Sequence, residues 1–186
     1  MFSGILEKLP LERALLQVFA DNIGANELVA DLGCGPGHLT AHLNALGLDA
    51  FGVDLSSEMI AIARQAHPDL RFDEGTMTAL DIEDGSLGGV LSFYSVIHLP
   101  PTELPGVFRE FVRVLKPGGQ LLLGFYGGDD VWPRTFDHKV TTAYRWLPDA
   151  LSELLGQAGL TEITRLVRAP YEGERFQQAQ LLLRKE

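Results

Sequence analysis

The chain has 186 residues, a formal net charge of −10 and 46% hydrophobic residues, a composition that excludes intrinsic disorder and a disulfide scaffold. Its acidity disfavours a nucleic-acid partner, because no run of Lys or Arg offsets the repulsion of a phosphate backbone. The apolar stretch near residues 88–101 is too short for a membrane span. We therefore expect a single cytoplasmic domain over residues 1–186, monomeric or homodimeric, without a nucleic-acid or membrane partner.

The first third of the chain alternates helix and strand patterns. A helical segment is expected within residues 1–24, and a short buried strand follows at 28–32. The glycine-rich turn 33–37 comes directly after this strand. A second helix is then predicted from apolar residues at helical spacing, namely Leu39, Leu43 and Leu46.

The same alternation returns in the next segment. Residues 50–53 are predicted to form a strand, and Ser56 is the candidate N-cap of the helix after it. The buried stripe of this helix is predicted to consist of Met59, Ile62, Ala63 and Ala66.

The remaining elements complete an α/β pattern. They are predicted as strands at 70–72, 90–93 and 120–125, helices beginning at Thr102 and near Pro148, and a final strand pair at 161–167 and 179–184. Strands that alternate with helices are typical of a mostly parallel, doubly wound sheet, and a final pair without a helix between them indicates an antiparallel edge. About seven strands are expected.

The turn after the first strand is the expected ligand contact, since ligands bind at the carboxyl ends of the strands in open α/β sheets. Gly33, Gly35 and Gly37 allow the backbone to approach a ligand closely. Asp54 ends the second strand, where its two oxygens could bind both hydroxyls of a ribose. The alternative for Asp54 is an N-cap of the next helix, in competition with Ser56.

Two side chains at this turn indicate which nucleoside cofactor it binds. A nicotinamide dinucleotide favours a third glycine at the position that His38 occupies, and an electropositive helix start for its pyrophosphate. Asp31 at the mouth of the turn would repel a pyrophosphate and attract an ammonium group. The pattern therefore favours S-adenosylmethionine, which has no phosphate and carries ammonium and sulfonium charges.

The segments 29–37, 52–59 and 113–119 together resemble the class I S-adenosylmethionine-dependent methyltransferase family, with the first motif, the ribose-binding motif and the turn before the fifth strand in order. The resemblance implies a Rossmann-like sheet in the order 3-2-1-4-5-7-6, with the seventh strand antiparallel. It also implies a set of cofactor-binding residues: Asp31, Gly33, Gly35, Gly37, Asp54, Leu55, Met59, Thr76, Met77 and Tyr94.

The sequence departs from the family pattern in two places, at Thr76 and at the pair Gly88 and Gly89. Thr76 stands where many relatives carry an acidic residue beside the adenine amino group, so Asp73 or Glu74 is the alternative acceptor. Met77 is a candidate for packing on the adenine ring, with core filling as the alternative. Gly88 and Gly89 precede the fourth strand, where relatives often have an acidic residue.

The acceptor side is expected after the fourth and fifth strands. Tyr94 and His98 are the candidate catalytic residues, and the alternative for His98 is a helix-entry residue bonded to backbone. The segment 127–146 is a possible substrate cover, or else a surface loop. Its aromatic residues and carboxylates would suit a cationic or amine acceptor. The candidate substrate residues in it are Trp132, Tyr144 and Trp146.

The sequence thus predicts methyl transfer from S-adenosylmethionine to a small-molecule acceptor by in-line displacement. The Asn/Asp-Pro-Pro-Tyr/Phe motif of amino-methylating nucleic-acid enzymes is absent after the fourth strand. No metal is expected, since no residues stand at metal-ligand spacing. The alternatives are a non-catalytic S-adenosylmethionine-binding module and an NAD-dependent oxidoreductase, which shares the fold.

Overall fold

A computed structural model describes residues 6–138 and 142–186, so the expectations for residues 1–5 and 139–141 lie outside the described residues. Its strands are β1 (Leu28–Leu32), β2 (Asp49–Asp54), β3 (Phe72–Glu74), β4 (Leu87–Phe93), β5 (Leu115–Tyr126), β6 (Arg134–Asp137), β7 (Thr142–Arg145), β8 (Leu160–Arg168) and β9 (Gln178–Lys185). Its α-helices are α1 (Pro10–Ile23), α2 (His38–Ala45), α3 (Ser57–Ala66), α4 (Leu104–Val114) and α5 (Pro148–Gln157), and short 3₁₀ turns occur at Leu6–Lys8 and Val96–His98.

The large sheet has seven strands in the order β3-β2-β1-β4-β5-β9-β8. Strands β1 to β5 pair in parallel, while β9 runs antiparallel to both β5 and β8. The predicted Rossmann-like α/β fold is confirmed. The strand numbers differ from the expected order 3-2-1-4-5-7-6 only because β6 and β7 form a separate two-stranded sheet. Strands β8 and β9 therefore take the places of the sixth and seventh strands.

Both faces of the large sheet are covered, which explains its runs of consecutive apolar residues. Leu121 and Leu123 of β5 lie in the same core cluster as Phe108 and Phe111 of α4. Leu122, which points to the other face, lies in a second cluster. That cluster includes α1 and α2 through Leu16, Phe19 and Leu43. The central strands therefore hold their carboxyl ends at one well-packed edge.

Helix α3 confirms its predicted start and corrects its predicted face. Ser56 is the N-cap, and its Oγ accepts a hydrogen bond from the main-chain N–H of Met59 at 3.3 Å. The predicted stripe was wrong except for Ala63: the buried residues are Ile60 and Ala63, whereas Met59, Ile62 and Ala66 are exposed. The physical reason is that α3 lies beside the edge strand β3 and packs against Phe72 over a narrow contact.

The predicted cover segment, as far as residues 127–138 and 142–146 describe it, forms the antiparallel β6–β7 pair. Its base is held against the end of β5, because Trp146 donates its main-chain N–H to the Tyr126 carbonyl and accepts one from Gly128, each at 3.0 Å. The segment therefore rises from the carboxyl edge of the sheet. In the described part of the chain, no helix is long and apolar enough to cross a membrane.

Candidate functional site

The three glycines of the turn after β1 have two different roles. Gly33, Gly35 and Gly37 all have positive φ, at 77°, 52° and 83°. A Cβ on Gly33 would lie 2.2 Å from Ser95 Cβ, and one on Gly37 would lie 2.6 Å from Phe72 Cζ. Among the residues that the structure describes, a Cβ on Gly35 would meet no atom within 4 Å. Packing therefore requires glycine at 33 and 37, while Gly35 faces open space in which a ligand could lie.

Asp54 lies beside this turn at the end of β2. Its Oδ2 accepts a hydrogen bond from the Gly35 main-chain N–H at 2.8 Å, and its Oδ1 accepts one from the Ser56 N–H at 2.9 Å. These bonds orient both oxygens at the carboxyl edge. A carboxylate has about four acceptor positions, so it retains capacity for ligand hydroxyls.

Asp31 lies under the turn rather than at its surface, with 1% of the residue exposed. Thr40 Oγ1 donates a hydrogen bond to Asp31 Oδ2 at 2.7 Å, which ties the end of β1 to α2. Burial raises the pKa of the Asp31 carboxyl to about 7. In this structure Asp31 fixes the turn, and its attraction for a ligand ammonium stays a prediction.

The predicted adenine-side residues surround the same opening. Leu55 follows Asp54 and is 75% exposed, and Met59 is exposed on the first turn of α3. Met77 Cε lies 3.6 Å from the position that a Cβ on Gly33 would take. Thr76 Oγ1 is hydrogen-bonded to Thr78 Oγ1 at 2.8 Å. Exposed apolar side chains next to an oriented carboxylate suit a ligand with a flat ring and a sugar.

Tyr94 follows β4 and is held in a left-handed backbone conformation with φ 54°. Its hydroxyl donates to Gln178 Oε1 at 2.6 Å and accepts from Gln180 Nε2 at 3.1 Å. Burial raises the pKa of this hydroxyl above its ordinary value, so Tyr94 stays a neutral phenol. The arrangement suits a fixed wall rather than a proton acceptor.

A cavity of about 410 Å³ opens beside Tyr94. Tyr94 and Tyr126 have ring centroids 5.0 Å apart, Tyr126 and Phe136 5.4 Å, and Phe136 and Phe176 4.7 Å. These rings form one continuous aromatic wall. The full lining is Leu9, Tyr94, Tyr126, Phe136, Asp137, His138, Arg168, Gly173, Glu174, Arg175, Phe176 and Gln178.

The predicted substrate residues stand elsewhere in the structure. Trp132 is 80% exposed, Trp146 is buried in the core at 4%, and Tyr144 packs half-buried against that core. The lining of this cavity includes none of them. The segment 127–146 reaches the cavity through Phe136, Asp137 and His138 instead.

His98, the other predicted catalytic residue, lies behind the cavity lining. Its Nδ1 donates to the Thr142 carbonyl over 3.4 Å, and its ring centroid is 5.1 Å from that of His138. Burial lowers the pKa of His98, which favours a neutral imidazole. Of the two histidines, only His138 is part of the lining.

Sequence reasoning missed the part of the wall that comes from the end of the chain, Arg168, Arg175, Phe176 and Gln178. A signal was available. Because β9 is antiparallel, its first residue lies at the edge where the parallel strands end, which brings Gln178 and the residues before it to the site. The role of a loop so far from the glycine turn in sequence could not be recognised from local patterns.

Comparisons with known proteins show similarity to methyltransferases. A family model described as a methyltransferase domain matches residues 29–119. The chain is 37% identical over 92 residues to a demethylmenaquinone methyltransferase of Chlorobaculum parvum, covering 49% of this chain and 37% of that protein. It is 31% identical over 117 residues to a malonyl-acyl-carrier protein O-methyltransferase of Erwinia billingiae, covering 63% and 43%. Each match thus spans less than half the length of the curated relative.

A solved structure extends the likeness to nearly the whole chain. It is that of a SAM-dependent methyltransferase from Methanosarcina mazei, with a TM-score of 0.80 and 20% identity, covering 90% of this chain and 96% of that one. At this identity the likeness shows a shared fold.

Proposed function

Because the chain belongs to the class I S-adenosylmethionine-dependent methyltransferase family, we propose that it transfers a methyl group from S-adenosylmethionine, the cofactor of that family, to a small-molecule acceptor bound in the aromatic cavity beside Tyr94. The names of the two curated relatives indicate different acceptors, a quinone precursor and a malonyl thioester carrier. Family membership therefore supports the reaction type and leaves the acceptor to be argued from the cavity.

The residues at the turn fit the cofactor. Open space in front of Gly35 leaves room for the ligand, and the oriented carboxylate of Asp54 suits the ribose hydroxyls. Leu55 and Met59 are apolar side chains that adenine would cover. Met77 stands beside Gly33, where it would also contact the nucleoside.

The observation that carries the proposal is the position of the cavity. Tyr94 lines it and follows β4, the strand next to β1 in the sheet. The glycine turn and the cavity therefore share the carboxyl edge, with the side chain of Ser95, the residue after Tyr94, packed against Gly33. A ligand at Gly35 and an acceptor in the cavity would meet at this point.

S-adenosylmethionine, when bound, supplies an electrophilic methyl group on a sulfonium. The chain's own residues then have to align the acceptor and exclude water. Tyr94 is held by Gln178 and Gln180, so its ring is a rigid wall for the acceptor. The aromatic side chains Tyr126, Phe136 and Phe176 provide apolar cover. His138 is the titratable ring in the lining that could take a proton from a protic acceptor.

The alternatives are weaker. An NAD-dependent oxidoreductase is disfavoured by membership in a family whose cofactor is S-adenosylmethionine. A non-catalytic binding module would have no use for a separate aromatic cavity next to the cofactor turn. The cavity therefore favours an enzyme.

The direct test is a transfer assay with S-adenosylmethionine labelled on the methyl group and a panel of small aromatic and aliphatic acceptors. We expect label in an organic product, together with equimolar S-adenosylhomocysteine. Cofactor binding without transfer to any acceptor in the panel would favour the non-catalytic module.

A further inference from the structure

Two arginines line the cavity, Arg168 and Arg175, and they differ in how many of their hydrogen-bond donors already have a partner. Arg168 uses all three of its nitrogens: Nε donates to Glu12, and both Nη atoms donate to Glu174. Arg175, by contrast, makes one hydrogen bond, from Nη1 to the main-chain oxygen of Asp137 at 3.2 Å. In the described part of the chain it has no carboxylate partner. Arg175 therefore lines the cavity with unused donors.

Arg145 is a second arginine next to this wall, although it is not itself part of the cavity lining. Its Cζ lies 4.5 Å from the Phe176 ring centroid, and that of Arg175 lies 5.0 Å from the same centroid. The Arg145 Nε is buried and has no hydrogen-bond partner within residues 6–138 and 142–186. An unsatisfied buried donor is costly, so this guanidinium favours an acceptor beside it.

Most carboxylates near the cavity already accept hydrogen bonds from other groups of the protein. Glu174 accepts from Arg168 through both oxygens and from the Tyr171 main-chain N–H. Glu12 lies behind Arg168, almost fully buried, and is not part of the lining. Asp137 is exposed and lines the cavity. Among the described residues, the charged groups beside the cavity without an ion pair are therefore Arg145, Arg175 and Asp137, which leaves a local positive excess on a chain whose net charge is −10.

We propose that the acceptor is a planar aromatic molecule carrying an anionic group such as a carboxylate, with its ring against Tyr126, Phe136 and Phe176 and its anionic group on Arg175. The inference rests on the proposed function, since it names the substrate class of the same cavity. Guanidinium groups bind carboxylates through paired donors. The Cζ of Arg175 lies 5.9 Å from the Phe136 ring centroid and 5.0 Å from that of Phe176, which places the guanidinium beside the aromatic wall. This proposal differs from the cationic or amine acceptor that the sequence predicted, which is the alternative that the test below distinguishes.

The test uses four matched probes in calorimetric titrations of the full chain saturated with S-adenosylhomocysteine. They are 2-naphthoate, its neutral amide 2-naphthamide, the cation 2-(aminomethyl)naphthalene, and the non-planar decahydro-2-naphthoate. We expect 2-naphthoate to bind about tenfold more tightly than the amide, and the decahydro acid to bind more weakly than 2-naphthoate.

Arginine variants identify which side chain causes the difference in affinity between the acid and the amide. R175Q is expected to bring the acid and the amide to within about twofold of each other, while amide affinity stays unchanged. R145Q should reduce the difference in part. The matched control is R134Q, because Arg134 is an exposed arginine on β6 that is paired with Asp130 and does not line the cavity. It should leave all four affinities unchanged.

Tightest binding of the amine would overturn the proposal and would assign the specificity to Asp137. A difference between acid and amide that survives in R175Q would also overturn it, as would failure of every planar probe in protein that binds S-adenosylhomocysteine. Failure of the protein to bind S-adenosylhomocysteine would instead contradict the proposed function itself, so the two failures are distinguishable.

Discussion

The main-chain N–H of Gly35 donates a hydrogen bond to Asp54 Oδ2 over 2.8 Å, which joins the turn after β1 to the end of β2. The residue that leaves room for a ligand therefore also orients the carboxylate that would bind it. Both are held in place without the ligand, since Ser56 donates to the other oxygen of Asp54. Such preorganisation reduces the entropic cost of binding.

Gly35→Val is expected to abolish binding of S-adenosylmethionine while the protein stays folded. A branched side chain would project into the open space in front of Gly35. The positive φ at this position would also lower the free energy of unfolding of the valine variant by roughly 1–2 kcal/mol. Gly47→Val is the matched control for the strain, because Gly47 has φ 91° and open space but precedes β2 at the opposite edge. Titration calorimetry and urea unfolding of both variants check this. Similar loss of binding in the two would show that strain, and not ligand contact, is responsible.

Gly33→Ala should act on the fold first. Its Cβ would stand 2.2 Å from Ser95 Cβ, a separation that the tightly packed turn cannot accommodate without moving backbone. We expect a lower midpoint in urea unfolding than for Gly35→Val. Wild-type stability in Gly33→Ala would mean that the turn is not packed as described.

The buried carboxyl of Asp31 is expected to make stability depend on pH. Its pKa is about 7 in the folded protein against 3.8 for an exposed group, so the folded state holds a proton that the unfolded state releases. This contribution is fully present below about pH 4 and is lost as pH rises to about 7, with a slope of at most roughly 1.4 kcal/mol per pH unit. Unfolding free energies measured from pH 4 to 8 should fall more steeply with rising pH in wild type than in Asp31→Asn. Asp49→Asn, an exposed carboxylate on β2, should leave the slope intact.

Arg168→Met should destabilise the protein by roughly 3–5 kcal/mol, because it leaves the buried carboxylate of Glu12 without its ion pair. Arg165→Met is the matched control on the same strand. Its exposed pairs with Asp149 and Glu162 are worth about 1 kcal/mol or less. Adding Glu12→Gln to Arg168→Met should recover part of the loss. Equal effects of the two arginine variants in urea unfolding would contradict this account.

The β6–β7 pair offers a test of the acceptor cavity. Phe136→Ala is expected to raise KM for an acceptor or lower turnover, with cofactor affinity within a few fold, because Phe136 lines the cavity. Trp132→Ala should leave stability within about 0.5 kcal/mol, since Trp132 is 80% exposed. Trp132 remains a predicted substrate residue, so lowered turnover in that variant would show that it reaches the acceptor. Steady-state kinetics of both variants decide which residues contact it.

The elements that the sequence predicted well are those encoded by neighbouring residues. The strand at 28–32, the turn after it and the carboxylate at Asp54 depend on short patterns of apolar residues, glycines and one acid, and they occur where expected. Ser56 caps α3 for the same reason. The sheet order followed from the resemblance, and β6 and β7 added strands without disturbing it.

The elements that escaped prediction depend on contacts between distant segments. Phe176 and Arg175 precede β9 and meet Phe136 only because β9 returns antiparallel beside β5. Trp146, a predicted substrate residue, pairs its main chain with Tyr126 and has its ring in the core, and its contact with an acceptor stays a prediction. Aromatic residues that line a cleft and those that fill a core look alike in a sequence, so only the folded structure distinguishes them.

The central claim is that the edge formed by Gly35 and Asp54 binds S-adenosylmethionine. Its most direct test is a calorimetric titration of wild type, Asp54→Ala and the matched variant Asp49→Ala, which removes a carboxylate from the opposite end of β2. We predict binding in wild type and Asp49→Ala, and a loss of roughly 1.5–3 kcal/mol in Asp54→Ala, the scale for hydrogen bonds to a charged group. Unchanged affinity in Asp54→Ala, or no binding by the wild-type protein, would contradict the account.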